Sequence, residues 1–145
     1  MYRGDGVMAL FGLSCGADLA CQQALQSAQD MFSRLESLNL SLAADLKEPL
    51  RIGIGVHCGH VIVGEMGHGS TLDLTAIGDA VNTASRLEAL CKTYGCELVV
   101  SADVSSRAGI DLSRFPRREL DIRGRDTQLA AYTLNRVELE SALSA

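Results

Sequence analysis

Asn82 and Arg86 stand four residues apart in the stretch Gly78-Asp79-Ala80-Val81-Asn82-Thr83-Ala84-Ser85-Arg86-Leu87-Glu88. In a helix that spacing stacks the carboxamide and the guanidinium on one face. Ala80, Ala84, Leu87 and Cys91 form an apolar stripe nearly opposite. Two readings are open for such a pair. It is a solvated outer face, as surface polar residues commonly are. Or it projects into a cleft completed by another chain, where the amide would orient a ribose and the fixed cation would neutralise charge on a phosphoryl transition state. A second cluster, His57-Cys58-Gly59-His60, has metal-ligating residue types. Strand alternation sends His57 and Cys58 to opposite faces, so it reads as a strand end running into a turn. Asp5, between Gly4 and Gly6, has the composition of a turn between strands.

The elements that must carry these residues follow from periodicity and punctuation. Gly6–Gly12 is a short apolar run bounded by glycines and predicts a buried strand. Asp18 is placed to cap a long helix from Leu19 to about Leu46, with Leu25, Ala28, Phe32, Leu35 and Leu38 as its stripe; Pro49 ends it. Arg51–His57 alternates with period two: Ile52, Ile54 and Val56 share one face, Gly53 and Gly55 the other. Glycines make poor strand material, so a packed helix or a ligand must approach that face closely. Cys58-Gly59-His60 reads as a tight turn into Val61–Met66, an antiparallel hairpin, and Gly67–Ser70 as a loop. A helix runs from about Gly78 to Tyr94, closed by Gly95. A strand at Glu97–Ser101, a short helix at Ala102–Ala108 and strands at Arg118–Ile122 and Ala130–Leu134 follow. The tail from Glu138 is polar and predicts fraying. The order is that of an α+β sandwich, helices on a mostly antiparallel sheet.

Composition bounds the function. The chain has 145 residues, the size of one domain, 1–145, with 47% hydrophobic and 21% charged residues, so a sizeable core is available. A net charge of −5 argues against a nucleic-acid partner, which needs clustered Lys and Arg. No apolar run approaches the ~18 residues of a membrane span, so this segment is expected to make no membrane contact. There is no basic-then-apolar signal peptide, although a membrane-anchored parent protein stays open. Five cysteines without a CxxC pair point to a reduced, cytoplasmic compartment.

The stretch Gly78–Glu88 resembles the signature of class III nucleotidyl cyclases, the adenylyl/guanylyl cyclase catalytic domain. Two further segments agree in type and order. Tyr2–Gly12 resembles the strand pair carrying the family's second metal-binding aspartate, and Arg51–Gly59 its glycine-bearing strand and turn. The resemblance implies a ferredoxin-like, palm-type βαββαβ sandwich. It implies an adenylate cyclase that converts ATP to 3′,5′-cyclic AMP and pyrophosphate, with two Mg2+ or Mn2+ ions, at the interface of a head-to-tail homodimer. By the same resemblance Asp5 is a metal ligand, Asn82 orients the ribose and Arg86 stabilises the transition state. Thr75 is at a base-reading position, where Thr or Asp resembles adenylyl cyclases, and Arg125 is at a triphosphate contact. Arg125 also reads as an exposed turn residue, and Asp79 as an acid suited to the positive end of its helix.

Two features depart from the family pattern. Its first metal aspartate lies in a Phe-x-Asp-Ile/Leu-x-Gly segment on an earlier strand followed by two helices, and Met1 stands where a base-reading lysine is common. The expectation is therefore an N-terminally truncated domain that lacks the first strand and helices. It would have unpaired edges beside Gly6–Gly12 and turn over poorly alone. Alternatives are a guanylate cyclase and a catalytically degenerate module that binds a nucleotide and regulates a partner. A diguanylate cyclase is disfavoured, because Cys58-Gly59-His60 occupies the turn where its Gly-Gly-(Asp/Glu)-Glu-Phe motif would be.

Overall fold

The structure, a computed structural model, describes all residues except 1, 4, 68, 71, 72 and 123–127, with the backbone alone at residues 2 and 3. The molecule is organised around Leu98-Val99-Val100-Ser101, which the structure forms as a strand buried on both faces. Numbered along the chain, the elements are β1 (Tyr2–Arg3), β2 (Gly6–Val7), α1 (Ala17–Ser41), β3 (Ile54–Val56), β4 (Ile62–Met66), β5 (Asp73–Ile77), α2 (Asp79–Tyr94), β6 (Leu98–Ser101), α3 (Ala102–Ala108), β7 (Arg117–Leu120), β8 (Leu129–Leu134) and α4 (Arg136–Ser144). The principal sheet has the order β3-β6-β8-β7. β3 runs parallel to β6, and the other pairs are antiparallel.

Alternation along the strands divides the core in two. Leu98, Val100 and Leu134 face α1, α3 and α4, packing with Leu25, Phe32, Val104 and Leu139, and Ile52, Ile54 and Val56 join them. Val99, Ala131, Leu120 and Leu129 face α2 through Leu87 and Cys91. Among the described residues the chain is thus an α+β sandwich with a mixed sheet and four helices.

Helix α2 matches the sequence reading closely. It runs from Asp79 to Tyr94, starts from Gly78 and stops at Gly95 in a left-handed conformation with φ 63°. The amide of Cys96 closes the end on the Cys91 carbonyl at 3.0 Å. Gly78 has φ 155°, and a side chain there would begin 2.9 Å from the His60 carbonyl oxygen, so the entry to α2 admits only glycine.

Other elements correct the sequence reading. The predicted hairpin between Arg51–His57 and Val61–Met66 does not form. β4 pairs instead with β5, Ile62 opposite Ile77 and Gly64 opposite Thr75, around the glycine-rich stretch read as a loop. β3 pairs with β6 along one edge, and among the described residues no ladder joins it to β4. The strand Asp73–Ile77 was absent from the sequence reading, because its short, mixed pattern abuts a much stronger helix signal. Gly6–Gly12 is not a buried strand: only Gly6 and Val7 are paired, with β1, and Val7 is 68% exposed. An apolar run reports a wish for cover but not what supplies it.

Helix α1 is capped by Gly16; Asp18 lies in its first turn, 3.7 Å from the Arg107 guanidinium. It ends at Ser41 rather than near Leu46, because the Asn39 side chain takes up the backbone of Leu50. Asn39 donates to the Leu50 carbonyl at 2.9 Å and accepts from its amide at 2.7 Å. The chain from Glu138 is not frayed. It lies in α4, closed by a reciprocal capping box between Asn135 and Glu138, with Leu139 and Ala142 buried.

Candidate active site

Three of the candidate residues lie on one continuous piece of chain. Thr75 is on β5, which leads through Gly78 directly into α2, the helix that carries Asn82 and Arg86. α2 crosses the glycine face of β3. A side chain on Gly53 would begin 3.0 Å from Cys91 Cβ, and one on Gly59 2.8 Å from Ala80 Cβ. On Gly55 it would meet the Glu88 amide nitrogen and lie 2.5 Å from the Ala84 carbonyl oxygen. The close approach that these glycines imply is therefore a packed helix and not a ligand. Ala80 and Ala84 are half-buried, and Leu87 and Cys91 buried, on the inward face.

Asn82 and Arg86 point the other way and are exposed. Neither makes a hydrogen bond or ion pair to another described residue. A guanidinium held on a helix with no partner among the described residues is available to an anion from outside the chain. Thr75 is half-buried and lies opposite Gly64; Ile62, Met66 and Ile77 share its face of the hairpin, and all three are exposed. That apolar face, which motif reading had not singled out, follows from a pairing the sequence did not reveal.

Asp5 is an exposed turn residue between β1 and β2. Among the described residues no strand ladder joins this hairpin to the sheets that hold Thr75 or seat α2. Arg125 lies outside the described residues.

The resemblance noted above implies a pair of divalent metal ions at the site. A hard cation needs several oxygen ligands. Among the described residues no three His, Cys, Asp or Glu converge on one point, and Asp5 is a single exposed carboxylate. The Mg2+ or Mn2+ pair expected from the resemblance thus has no complete donor set among them. The His57 cluster is equally unlike a metal site. His57 Nδ1 pairs with Ser101 Oγ at 2.9 Å, whereas Cys58 packs on the opposite face against the α1 core. Ser101, wholly buried in an otherwise aliphatic strand, gave no signal of that role in the sequence.

The buried thiols are chemically quiet. Burial pushes Cys91 up to about 12 and Cys21 up to about 11, so both are neutral near pH 7.

Comparison with known proteins agrees with this architecture. The family described as Adenylate and Guanylate cyclase catalytic domain matches residues 2–136. An adenylate cyclase of Anabaena cylindrica is 35% identical over 136 residues, covering 90% of this chain and 26% of the relative. The chain therefore spans about a quarter of that protein's length. The crystal structure of the guanylyl cyclase Cya2 superposes with a TM-score of 0.76 at 24% identity, over 92% of this chain and 66% of that one, and supports the fold. The adenylyl cyclase CyaB from P. aeruginosa superposes with a TM-score of 0.66 at 25% identity, over 85% of this chain and 63% of that one. On the sequence motifs, the fold and these matches together, the chain belongs to the adenylate and guanylate cyclase catalytic domain family.

Proposed function

We propose that this chain is the catalytic domain of an adenylate cyclase, forming 3′,5′-cyclic AMP and pyrophosphate from ATP in the cytoplasm. The observation that carries the reading is the outward presentation of Asn82 and Arg86 one turn apart on α2, without a hydrogen-bond or ion-pair partner among the described residues. The ribose 3′-oxygen attacks the α-phosphorus in line, the 3′-hydroxyl loses its proton, and the bond to the β-phosphate oxygen breaks. Arg86 faces the phosphorus and neutralises the charge that builds there; such preorganised groups are worth on the order of 100- to 1000-fold in rate. Asn82 holds the ribose. Nucleophile and electrophile belong to one molecule, so orienting the sugar supplies much of the acceleration.

Asn82 and Arg86 point away from their own core, so the partner surface must come from elsewhere. We assign it to a second copy arranged head to tail, with Thr75, Asn82, Arg86 and Arg125 from one subunit facing Asp5 of the other. Exposed Ile62, Met66 and Ile77 beside Thr75 support burial of that face in an assembly. That these relatives are named adenylate cyclases supports ATP rather than GTP as the substrate. The five free thiols fit a reducing compartment.

The isolation of Asp5 favours one second reading, a nucleotide-binding regulatory module without turnover. One experiment separates them: the purified full-length protein is given ATP or GTP with Mg2+ or Mn2+, and cyclic nucleotide is measured alongside calorimetric binding. Cyclic AMP formation that is lost in Arg86→Ala supports the cyclase. Nucleotide binding without product supports the module, and cyclic GMP as main product reassigns the substrate.

A further inference from the structure

Most helix-on-sheet contacts are made by side chains, which can shift. The contact at Gly55 is made by backbone. A side chain there would meet the Glu88 amide nitrogen, lie 2.5 Å from the Ala84 carbonyl oxygen and 2.9 Å from the Leu87 carbonyl carbon. All three atoms belong to the single turn Ala84–Glu88, and the residue on the far side of that turn is Arg86. The neighbouring glycines differ in kind. Gly53 approaches Cys91 Cβ at 3.0 Å, with the thiol at 3.4 Å, and Gly59 approaches Ala80 Cβ at 2.8 Å. Of these three glycines, Gly55 alone has the backbone of α2 within 3 Å.

We infer that Gly55 is the positioning residue for Arg86: direct seating of the Ala84–Glu88 turn on β3 sets how far the guanidinium projects from the sheet. The inference rests on the role given to Arg86 above. The geometry is specific. Ala84, Leu87 and Glu88 surround the direction facing β3, and Arg86 lies almost diametrically opposite. Any group inserted at Gly55 therefore drives Arg86 outward along its own axis. Ordinary contact begins near 3.4 Å, so a methyl group must lift the turn by roughly 1 Å. A misplacement of roughly that size at a reacting centre costs on the order of 100-fold in rate. The helix also packs through Leu87 and Cys91 against Val99 and Ala131.

The test compares Gly55→Ala with Gly53→Ala in the full-length protein. The expected result for Gly55→Ala is a kcat lower by on the order of 100-fold with KM for the nucleotide changed less than about 3-fold. Gly53→Ala, whose neighbour is a side chain, should keep kcat within about 3-fold. Equal kcat values for the two variants would overturn the inference. Should Gly55→Ala fail to fold, Ala84→Ser adds one atom to the same turn and should lower kcat about 10-fold; unchanged kcat overturns the inference. Amide exchange gives a reading that needs no turnover. Protection over residues 82–88 should fall in Gly55→Ala and hold in Gly53→Ala, with β6 and β8 unchanged in both. Equal loss in both contradicts the seat. A wild-type protein that makes no cyclic nucleotide sinks the cyclase reading, and the exchange comparison still decides whether Gly55 seats the turn.

Discussion

In the proposed site, Arg86 and Asn82 are placed to separate function from stability. Both side chains are exposed and make no hydrogen bond or ion pair to another described residue that their loss would leave unpaired. Arg86→Ala should therefore lower kcat by on the order of 100- to 1000-fold. Its unfolding free energy should stay within about 0.5 kcal/mol of wild type, because surface substitutions away from caps and networks rarely do more. Steady-state kinetics and denaturant unfolding of the same preparation check both halves, and a large loss of stability would place Arg86 in the fold instead. The outward placement of these two residues was legible, because helical spacing puts them opposite the apolar stripe; the role given to them came from the family resemblance. Gly53 and Gly55 were legible as a demand for close approach, and the structure shows that α2 meets it. Asp5 could not be read further, since a carboxylate between glycines makes the same pattern in a turn as at a metal.

Among the elements, legibility followed the strength of the local signal. α2 declared both ends through glycine, and α3 is where the sequence put it, Ala102–Ala108. Strand pairing was misread, because pairing depends on partners distant in sequence and short apolar runs do not name them. A parallel pair such as β3 and β6, separated by some forty residues, leaves no turn to read. α4 was missed although Asn135-x-x-Glu138 spells its capping box.

The α2–sheet seam also carries a pH dependence. Burial raises the Cys91 thiol from 9.0 to about 12, and neighbouring Cys96 adds to the shift. The folded chain thus keeps its proton where the unfolded chain releases one. Stability is complete below about pH 9 and falls as the pH climbs towards 12. Denaturant unfolding between pH 8 and 11 should show a shallower decline in Cys91→Ala than in wild type. Parallel declines would mean that this thiol is not the titrating group.

At the scale of the molecule, the placement of the candidates implies a division of labour. Thr75, Asn82 and Arg86 ride on the continuous β5–α2 segment, whereas Asp5 sits on a hairpin that no ladder joins to it among the described residues. The proposed head-to-tail dimer would unite the two groups, and no single sequence periodicity announces it. The direct measurement is complementation: full-length Asp5→Ala and Arg86→Ala proteins, each inactive alone, are mixed and allowed to exchange subunits. Mixed dimers hold one site with both residues intact and one with neither. Equal mixing should therefore recover roughly a quarter of wild-type cyclic AMP formation. A mixture no more active than its two components would contradict a site shared between subunits.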